Sequence, residues 1–332
     1  MGENRIVMAH GGGGVLTHEL VETVIIPLLG GPPGGLPDAA SVPAAENILF
    51  TTDSFVVKPL FFPGGDIGSL SVYGTVNDLA VSGAEPLALS MSLIIEEGLD
   101  LDVLREVVGS AARAAQACGV RIITGDTKVV AVGEADQLFV TTAGVGKRRL
   151  SVYPTGLRPG DRILINGPIA EHGIAVMSER EGIHFRTAVR SDSGSVWPCV
   201  EALIQGQIEV HAMRDPTRGG LAACCVELAD DSGVTIALDE SAIPVRREAR
   251  CACELLGLDP LTVANEGKLV AFVSETDARK AVEILRRVPG AQNAAVIGSV
   301  VERRAVAAYV RTRYGGERIV EMPYGEELPR IC

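Results

Sequence analysis

Hydrophobic and polar positions along the chain switch repeatedly between the strand period of two and the helix period near 3.6. Residues 6–9 form a short apolar run, a run of glycines follows, and residues 15–29 predict a helix. Residues 30–47, rich in Gly, Pro and Ala, predict a mobile loop. Residues 48–52 predict a strand that ends at Asp53. Over residues 69–83 the period is helical. Tyr73, Val76, Ala80 and Gly83 share one face, and Gly74, Asn77, Asp78 and Val81 share another. Residues 87–95 read as a strand. Residues 101–118 read as an amphipathic helix, with Asp100 and Asp102 at its start and Gly119 just past its end. Strands are predicted at 120–124 and 137–145.

A basic, turn-rich stretch from Lys147 to Pro159 separates this half from a more regular alternation. Strands at 162–166, 234–238, 268–274, 294–301 and 305–311 interleave with helices at 172–180, 221–231, 246–256 and 276–288. Residues 314–332 show neither period and contain Pro323 and Pro329, so they predict an extended, flexible tail. The expected fold class is α/β (α+β) with two domains, residues 1–150 and 151–313, followed by the tail 314–332. The length of 332 residues agrees with this division at about 150 residues per domain.

Composition narrows the function classes. A 47% hydrophobic chain of this length can bury a core without staples, and its net charge of -12 argues against a general nucleic-acid-binding surface. No apolar run reaches the roughly 18–20 residues of a membrane span, and no secretory leader is evident. Seven Cys without a regular framework fit a reducing compartment, so a cytoplasmic protein is expected.

Several constellations are candidates for chemistry. Gly11, Gly12, Gly13 and Gly14 lie between a strand and a helix start, where backbone N–H groups form either an anion nest or a tight turn. The Lys-Ser/Thr of a P-loop is missing. Asp53, Asp66, Asp78 and Asp126 stand at element ends beside Gly-rich turns. Such hard oxygen ligands suit Mg²⁺ bridged to phosphates, and equally suit caps and turns. Arg214-Asp215-Pro216-Thr217-Arg218-Gly219-Gly220 sets a carboxylate and guanidinium forks before a helix. Lys128 and Glu266 lie in short polar loops, as proton-transfer groups if buried or as surface charges if not. The chain ends on a thiol, Cys332, on the predicted tail, beside Arg330. No C-x-x-C pair points to zinc or redox chemistry.

Read together, these segments resemble a known family. TTDSFVVKPLFFPGGDIGSLSVYGTVNDLAVSGA from Thr51, HGGGG from His10, TGDTKVV from Thr124, MRDPTRGGLA from Met213, NEGK from Asn265 and the terminal PRIC are similar to the HypE hydrogenase maturation factors. The likeness runs end to end. A broader one covers the superfamily of aminoimidazole ribonucleotide synthetase, selenophosphate synthetase and thiamine-monophosphate kinase, whose members lack the terminal Cys. Gly12 stands where the family often has Ser or Ala, which leaves a backbone role there intact.

The resemblance implies a two-domain PurM-like fold. Its N-terminal domain forms a β-barrel with the copy in a homodimer, and its C-terminal domain is an α/β layer. It implies ATP and Mg²⁺ as cofactors, a carbamoyltransferase HypF and a HypC–HypD complex as partners, and no nucleic acid or membrane. The implied activity is a carbamoyl dehydratase: the S-carbamoyl group on Cys332 is converted with ATP to a thiocyanate, the source of a cyanide ligand for NiFe hydrogenase. Nucleotide contacts are then expected from Gly11, Gly12, Gly13, Asp53, Lys58, Asp66, Asn77, Asp78, Asp126, Arg214, Asp215 and Arg218. Metal ligands are expected from Asp53, Asp78, Asp126 and Asp215, a base from Glu266, and an orienting cation from Lys128. The alternatives are an ATP-dependent small-molecule synthetase or kinase of the same superfamily, and a non-catalytic carrier.

Overall fold

The computed structural model of the chain describes residues 14–20, 22–23, 40–42, 45–183, 189–324, 328 and 330–332. Gly11, Gly12 and Gly13 lie outside the described residues, as do most of the predicted helix 15–29 and of the predicted loop 30–47. Helix α1 (Val15–Leu20) is the described part of the former. The end of the predicted loop is strand instead: β1 (Ala40–Val42) pairs antiparallel with β2 (Ala45–Phe55).

After a small ribbon, β3 (Phe61–Phe62) and β4 (Gly65–Asp66), the chain enters α2 (Ile67–Val81). Asp66 caps it: one carboxylate oxygen accepts the N–H groups of Gly68 at 2.7 Å and Ser69 at 3.1 Å. This helix is buried nearly all round, because it is covered on both sides. Under it lies a five-stranded sheet built with β5 (Ala84–Glu96), β6 (Arg121–Val130) and β7 (Leu138–Arg148), in the order β1-β2-β7-β5-β6. Over it lies α3 (Leu101–Ala117). A Cβ on Gly68 would stand 2.1 Å from the Val107 carbonyl, so glycine permits this close crossing. On the opposite face Phe50, Leu87, Ile94 and Ile123 are exposed, and among the described strands β1 and β6 are the edges of the sheet.

The second half is a seven-stranded sheet of mixed direction. Its elements are β8 (Arg162–Ile165), α4 (Glu171–Arg180), α5 (Trp197–Gln205), β9 (Val210–Arg214), α6 (Gly220–Ser232), β10 (Thr235–Asp239), α7 (Arg247–Leu256), β11 (Val270–Val273), α8 (Ala278–Leu285), β12 (Ala295–Val301), β13 (Ala308–Arg311) and β14 (Glu317–Val320). The strand order is β14-β13-β10-β12-β8-β11-β9. One buried cluster joins the two halves: Ile174 of α4 and Ala252 of α7 pack with Phe55, Ile67 and Leu70, and with Leu328 and Ile331 of the C-terminus.

Three local expectations are corrected. Strand β6 continues to Val130, so Asp126 and Lys128 sit within a strand and not in a loop after one. That strand is an edge exposed along most of its length, and it lacks the alternation by which a half-buried strand is recognised. Strand β2 likewise runs past Asp53 to Phe55. The tail is not wholly irregular: Glu317–Val320 forms β14, the edge strand beside β13, and the last residues dock in the core.

Candidate functional site

Asp53 pairs across β2 and β7 with Thr142, which is fully buried under α2. Strand alternation therefore turns Thr51 and Asp53 toward that helix. Gly74 and Asp78 lie one turn apart on α2, and Thr51 Oγ1 donates to Asp78 Oδ2 at 2.9 Å. A Cβ on Gly74 would fall 2.8 Å from the Phe55 ring, so glycine lets the helix approach β2 at this point.

The opposing wall comes from the second half. Strand β9 ends at Arg214, and Asp215, Pro216, Thr217 and Arg218 lead into α6. Gly219 and Gly220 both have positive φ, 74° and 61°, and a Cβ on Gly220 would meet the Leu261 carbonyl at 2.5 Å. Asn265 ties this turn to its own loop, donating from Nδ2 to the Pro216 carbonyl at 3.0 Å. Glu266 is thereby delivered to the seam. The walls enclose a cavity of about 260 Å³ lined by Asp53, Asp78, Arg214, Asp215, Arg218, Glu266 and Cys332.

Carboxylates outnumber cations here. Arg214 is already engaged by Glu227 at 3.0 Å. Glu266 is 3% exposed, and its Oε1 has no hydrogen-bond partner among the described residues. Burial, and then the charges of Asp215, Asp53 and Asp192, push its carboxyl well above the usual carboxylate range, against the pull of Arg218. Burial also raises Asp53, opposed by Arg218 and by the Ser54 N–H. Among the described residues no three carboxylate, His or Cys side chains form a ready-made metal group. Mg²⁺ does not require one, because it is commonly held by one or two carboxylates together with substrate phosphates. The carboxylates of this cavity have the donor chemistry for that arrangement.

The C-terminus closes the cavity. The Val56 N–H donates to the Cys332 carbonyl at 3.0 Å, and the Lys58 N–H to the Arg330 carbonyl at 3.3 Å. Arg330 donates from Nε to the Val56 carbonyl at 2.9 Å and from Nη1 to Asp136 at 2.6 Å. Cys332 is thus seated in the same cavity as Glu266.

Other sequence-predicted residues lie elsewhere. Lys58 pairs with Asp136 at 2.7 Å beside the tail. Asp66 is the helix cap. Asn77 is 1% exposed and braces the seam: Nδ2 donates to the carbonyls of Gly194 at 3.0 Å and Glu266 at 3.2 Å, and Oδ1 accepts the Val196 N–H at 2.8 Å. Asp126 and Lys128 pair at 2.6 Å on β6. Their strand partners, Ser92 and Ile94, point to the opposite face of the sheet, away from Asp53. Sequence reasoning missed Asp192, whose carboxylate accepts the N–H groups of Glu266 and Gly267, the latter at 3.0 Å, and pairs with Lys268 at 3.1 Å. Its surroundings, Ser191 to Ser195, read as an ordinary polar loop. Behind this loop lies a larger cavity of about 530 Å³, which holds Lys268 and Asp192 and none of the sequence-predicted residues.

Comparison with known proteins agrees with this architecture. Residues 37–147 match the N-terminal domain of the AIR synthase related proteins, and residues 158–311 match their C-terminal domain. The chain is 46% identical over 333 residues to the carbamoyl dehydratase HypE of Cupriavidus necator, covering 99% of this chain and 95% of that protein. A crystal structure of a HypE–HypF complex superposes with a TM-score of 0.87 at 42% identity, covering 92% of this chain and 99% of the other. A structure of HypE in complex with ATP superposes with a TM-score of 0.84 at 43% identity, covering 99% and 100%.

Proposed function

The chain belongs to the HypE carbamoyl dehydratases among the AIR synthase related proteins, and on that premise we propose how its residues carry the reaction. It is an ATP-dependent carbamoyl dehydratase of hydrogenase maturation. The observation that carries the residue assignment is the seat of Cys332, which lines one cavity with Glu266, Asp53, Asp78, Asp215 and Arg218.

The carrier is the Cys332 thiol, loaded with a carbamoyl group by the carbamoyltransferase HypF. An amide oxygen is a poor leaving group, and ATP makes it a good one. The oxygen attacks the γ-phosphate and releases ADP. One nitrogen proton is lost as the oxygen is phosphorylated, giving an O-phosphorylated imidate. Phosphate then departs with the C–O bond while the second proton leaves the nitrogen, and Cys332 is left as a thiocyanate. The sum is one carbamoyl group and ATP giving one thiocyanate, ADP and phosphate. Phosphoryl transfer depends on positioning and charge neutralisation. Arg214 and Arg218 supply part of this. Asp53, Asp78 and Asp215 would hold Mg²⁺, which supplies further neutralisation when bound. Glu266 takes the nitrogen proton, and its unpartnered, buried oxygen suits a base.

Lys128 and Asp126 enter this reading through a second copy of the chain. Phe50, Leu87, Ile94 and Ile123 are 40–62% exposed on the N-terminal sheet. A homodimer covering this apolar surface would close the open sheets into a barrel and bring β6 of one chain to the cavity of the other. The two domains, residues 1–150 and 151–313, then divide dimerisation from the Arg214–Arg218 wall. No helix among the described residues is long and apolar enough to cross a membrane, and a cytoplasmic protein that hands its cyano group to a HypC–HypD complex fits the same reading.

Intact-protein mass spectrometry tests it. After incubation with the carbamoyltransferase, carbamoyl phosphate and Mg-ATP, an adduct on Cys332 should lose one water, and a Cys332→Ala control should gain none. ATP consumption without any adduct on Cys332 would refute the assignment and point to a kinase or synthetase of a free metabolite.

A further inference from the structure

We propose that His172 is a positioning residue that helps to seat the C-terminal tail, and so sets where the Cys332 thiol stands relative to Glu266. The proposal rests on the reading of Cys332 as the carrier.

Arg330 takes a left-handed conformation, φ 52°, and the last two residues run on from it. On one side the Arg330 and Cys332 carbonyls are taken by the N–H groups of Lys58 and Val56. The Ile331 carbonyl points the other way and meets His172 Nε2 at 2.9 Å. Ile331 is 3% exposed, so without this donor its carbonyl would be buried and unsatisfied.

The chemistry of the contact fixes the ring. A carbonyl only accepts, so the proton is on Nε2. Burial holds the imidazole below its usual pKa, opposed by the charge of Asp192 and by the bond to Ile331. The ring is therefore neutral, and Nδ1 presents a lone pair to the Ser191 hydroxyl at 2.8 Å. Ser191 is itself pinned, because its N–H donates to the Pro63 carbonyl at 2.7 Å and its Oγ accepts the Ser193 N–H at 3.0 Å. The ring edge also packs on Phe62, with centroids 5.4 Å apart at 90°.

The same short segment holds the proposed base. Ser191 orients His172, and the next residue, Asp192, holds the backbone of Glu266 and Gly267. Asn265 adds a second tie, since its Oδ1 accepts the Ala170 N–H at 2.8 Å, two residues before His172. The tail latch and the base are therefore fixed to one frame. His172 does not line the reacting cavity, so its role is placement and not proton transfer.

The test separates the Nε2 donor from general packing. In His172→Gln the amide nitrogen reaches the Nε2 position, whereas in His172→Asn it reaches only Nδ1. In the full-length protein, alkylation of Cys332 by iodoacetamide, read on its C-terminal peptide, should accelerate on the order of tenfold or more in the Asn variant, with the Gln variant near wild type. Single-turnover dehydration of carbamoyl-Cys332 should slow by a similar factor in the Asn variant, with carbamoyl loading and the KM for ATP unchanged. Wild-type protection in the Asn variant, or equal changes in both variants, overturns the proposal. A protein that shows the alkylation difference but never dehydrates Cys332 keeps the latch and refutes the carrier reading. A measurement without substitutions stands beside these should the Asn variant not fold. Imidazole ¹⁵N shifts should report a neutral Nε2–H tautomer for His172 that changes on deletion of Ile331 and Cys332, and an unchanged signal overturns the latch.

Discussion

If Lys128 serves the reaction, it serves the cavity of another chain, and mixed dimers should show this. In the sheet order, β6 is three strand spacings from β2, a separation of about 14 Å. Lys128 also points to the opposite face, whereas Asp53 turns toward α2. A lysine cannot cross its own sheet to reach Glu266. The perturbation is a pair of variants, Lys128→Ala and Glu266→Gln, each inactive alone. In a mixed dimer one cavity combines Glu266 and Cys332 of the first variant with Lys128 of the second, and the other cavity lacks both groups. Random pairing at equal amounts makes half of the dimers mixed, each with one intact site in two, so about a quarter of the wild-type rate should return. The assay is single-turnover formation of thiocyanate on Cys332 after co-expression with distinguishable tags and isolation of the mixed species, where the expected recovery rises to about half. A mixture that performs no better than its two parents would refute the shared site and remove Lys128 from the reaction.

Other expectations follow from the same geometry. Glu266→Gln should leave ATP binding intact and stop dehydration, as read by ATP titration beside mass spectrometry of Cys332. Dehydration by the wild type should rise with pH through a step above the ordinary glutamate range, because only the ionised carboxylate accepts the proton. The sign for stability is the reverse: with its folded pKa raised, Glu266 favours folding at low pH and loses that contribution as pH climbs above its unfolded value. The melting temperature of Glu266→Gln relative to wild type should therefore improve with rising pH in nucleotide-free protein. Asn77→Ala strips the buried Val196 N–H and two carbonyls of their partner, and should cost about 2–4 kcal/mol, read as a fall of about 3–6 °C in melting temperature. Chelating divalent cations should abolish ATP turnover without unfolding the protein, as followed by circular dichroism.

The legible parts of the chain were those with local chemistry. Helix α3 could be read from its amphipathic period and its Asp100 cap, and β8, β10 and β13 from apolar runs bounded by turns. Helix α5 was missed: it is nine residues long, begins Trp-Pro and follows a run of serines. Strand β9 was missed because its five residues, Val-His-Ala-Met-Arg, carry both a histidine and an arginine. At the site, Asp53, Asp78, Arg214, Asp215, Arg218, Glu266 and Cys332 could be nominated by residue type and motif, and the fold gathers them from distant segments. Asp192 and His172 could not, because their function lies in contacts made across the fold. An isolated His or Asp in a polar stretch carries no local sign of such a partner.

The charge balance of the cavity bears on when the reaction can run. In a single chain Glu266 sits among Asp215, Asp53 and Asp192 with Arg218 opposing them, and burial raises its carboxyl well above the usual carboxylate range, which favours the protonated form. A protonated carboxyl cannot take a proton from the amide nitrogen. Any positive charge brought close favours the ionised form. In the reading above that charge comes from Lys128 of the second copy and from the cation that accompanies the phosphates. The base would then be formed by assembly, and a lone chain, or a dimer without nucleotide, would hold the carbamoyl group on Cys332 without attacking its nitrogen. The backbone ties at Asn77, Asp192 and His172 complete this arrangement. They fix the geometry of Glu266 and Cys332 in advance, so that arrival of charge is the remaining step, and a thiol so placed is both sheltered and ready.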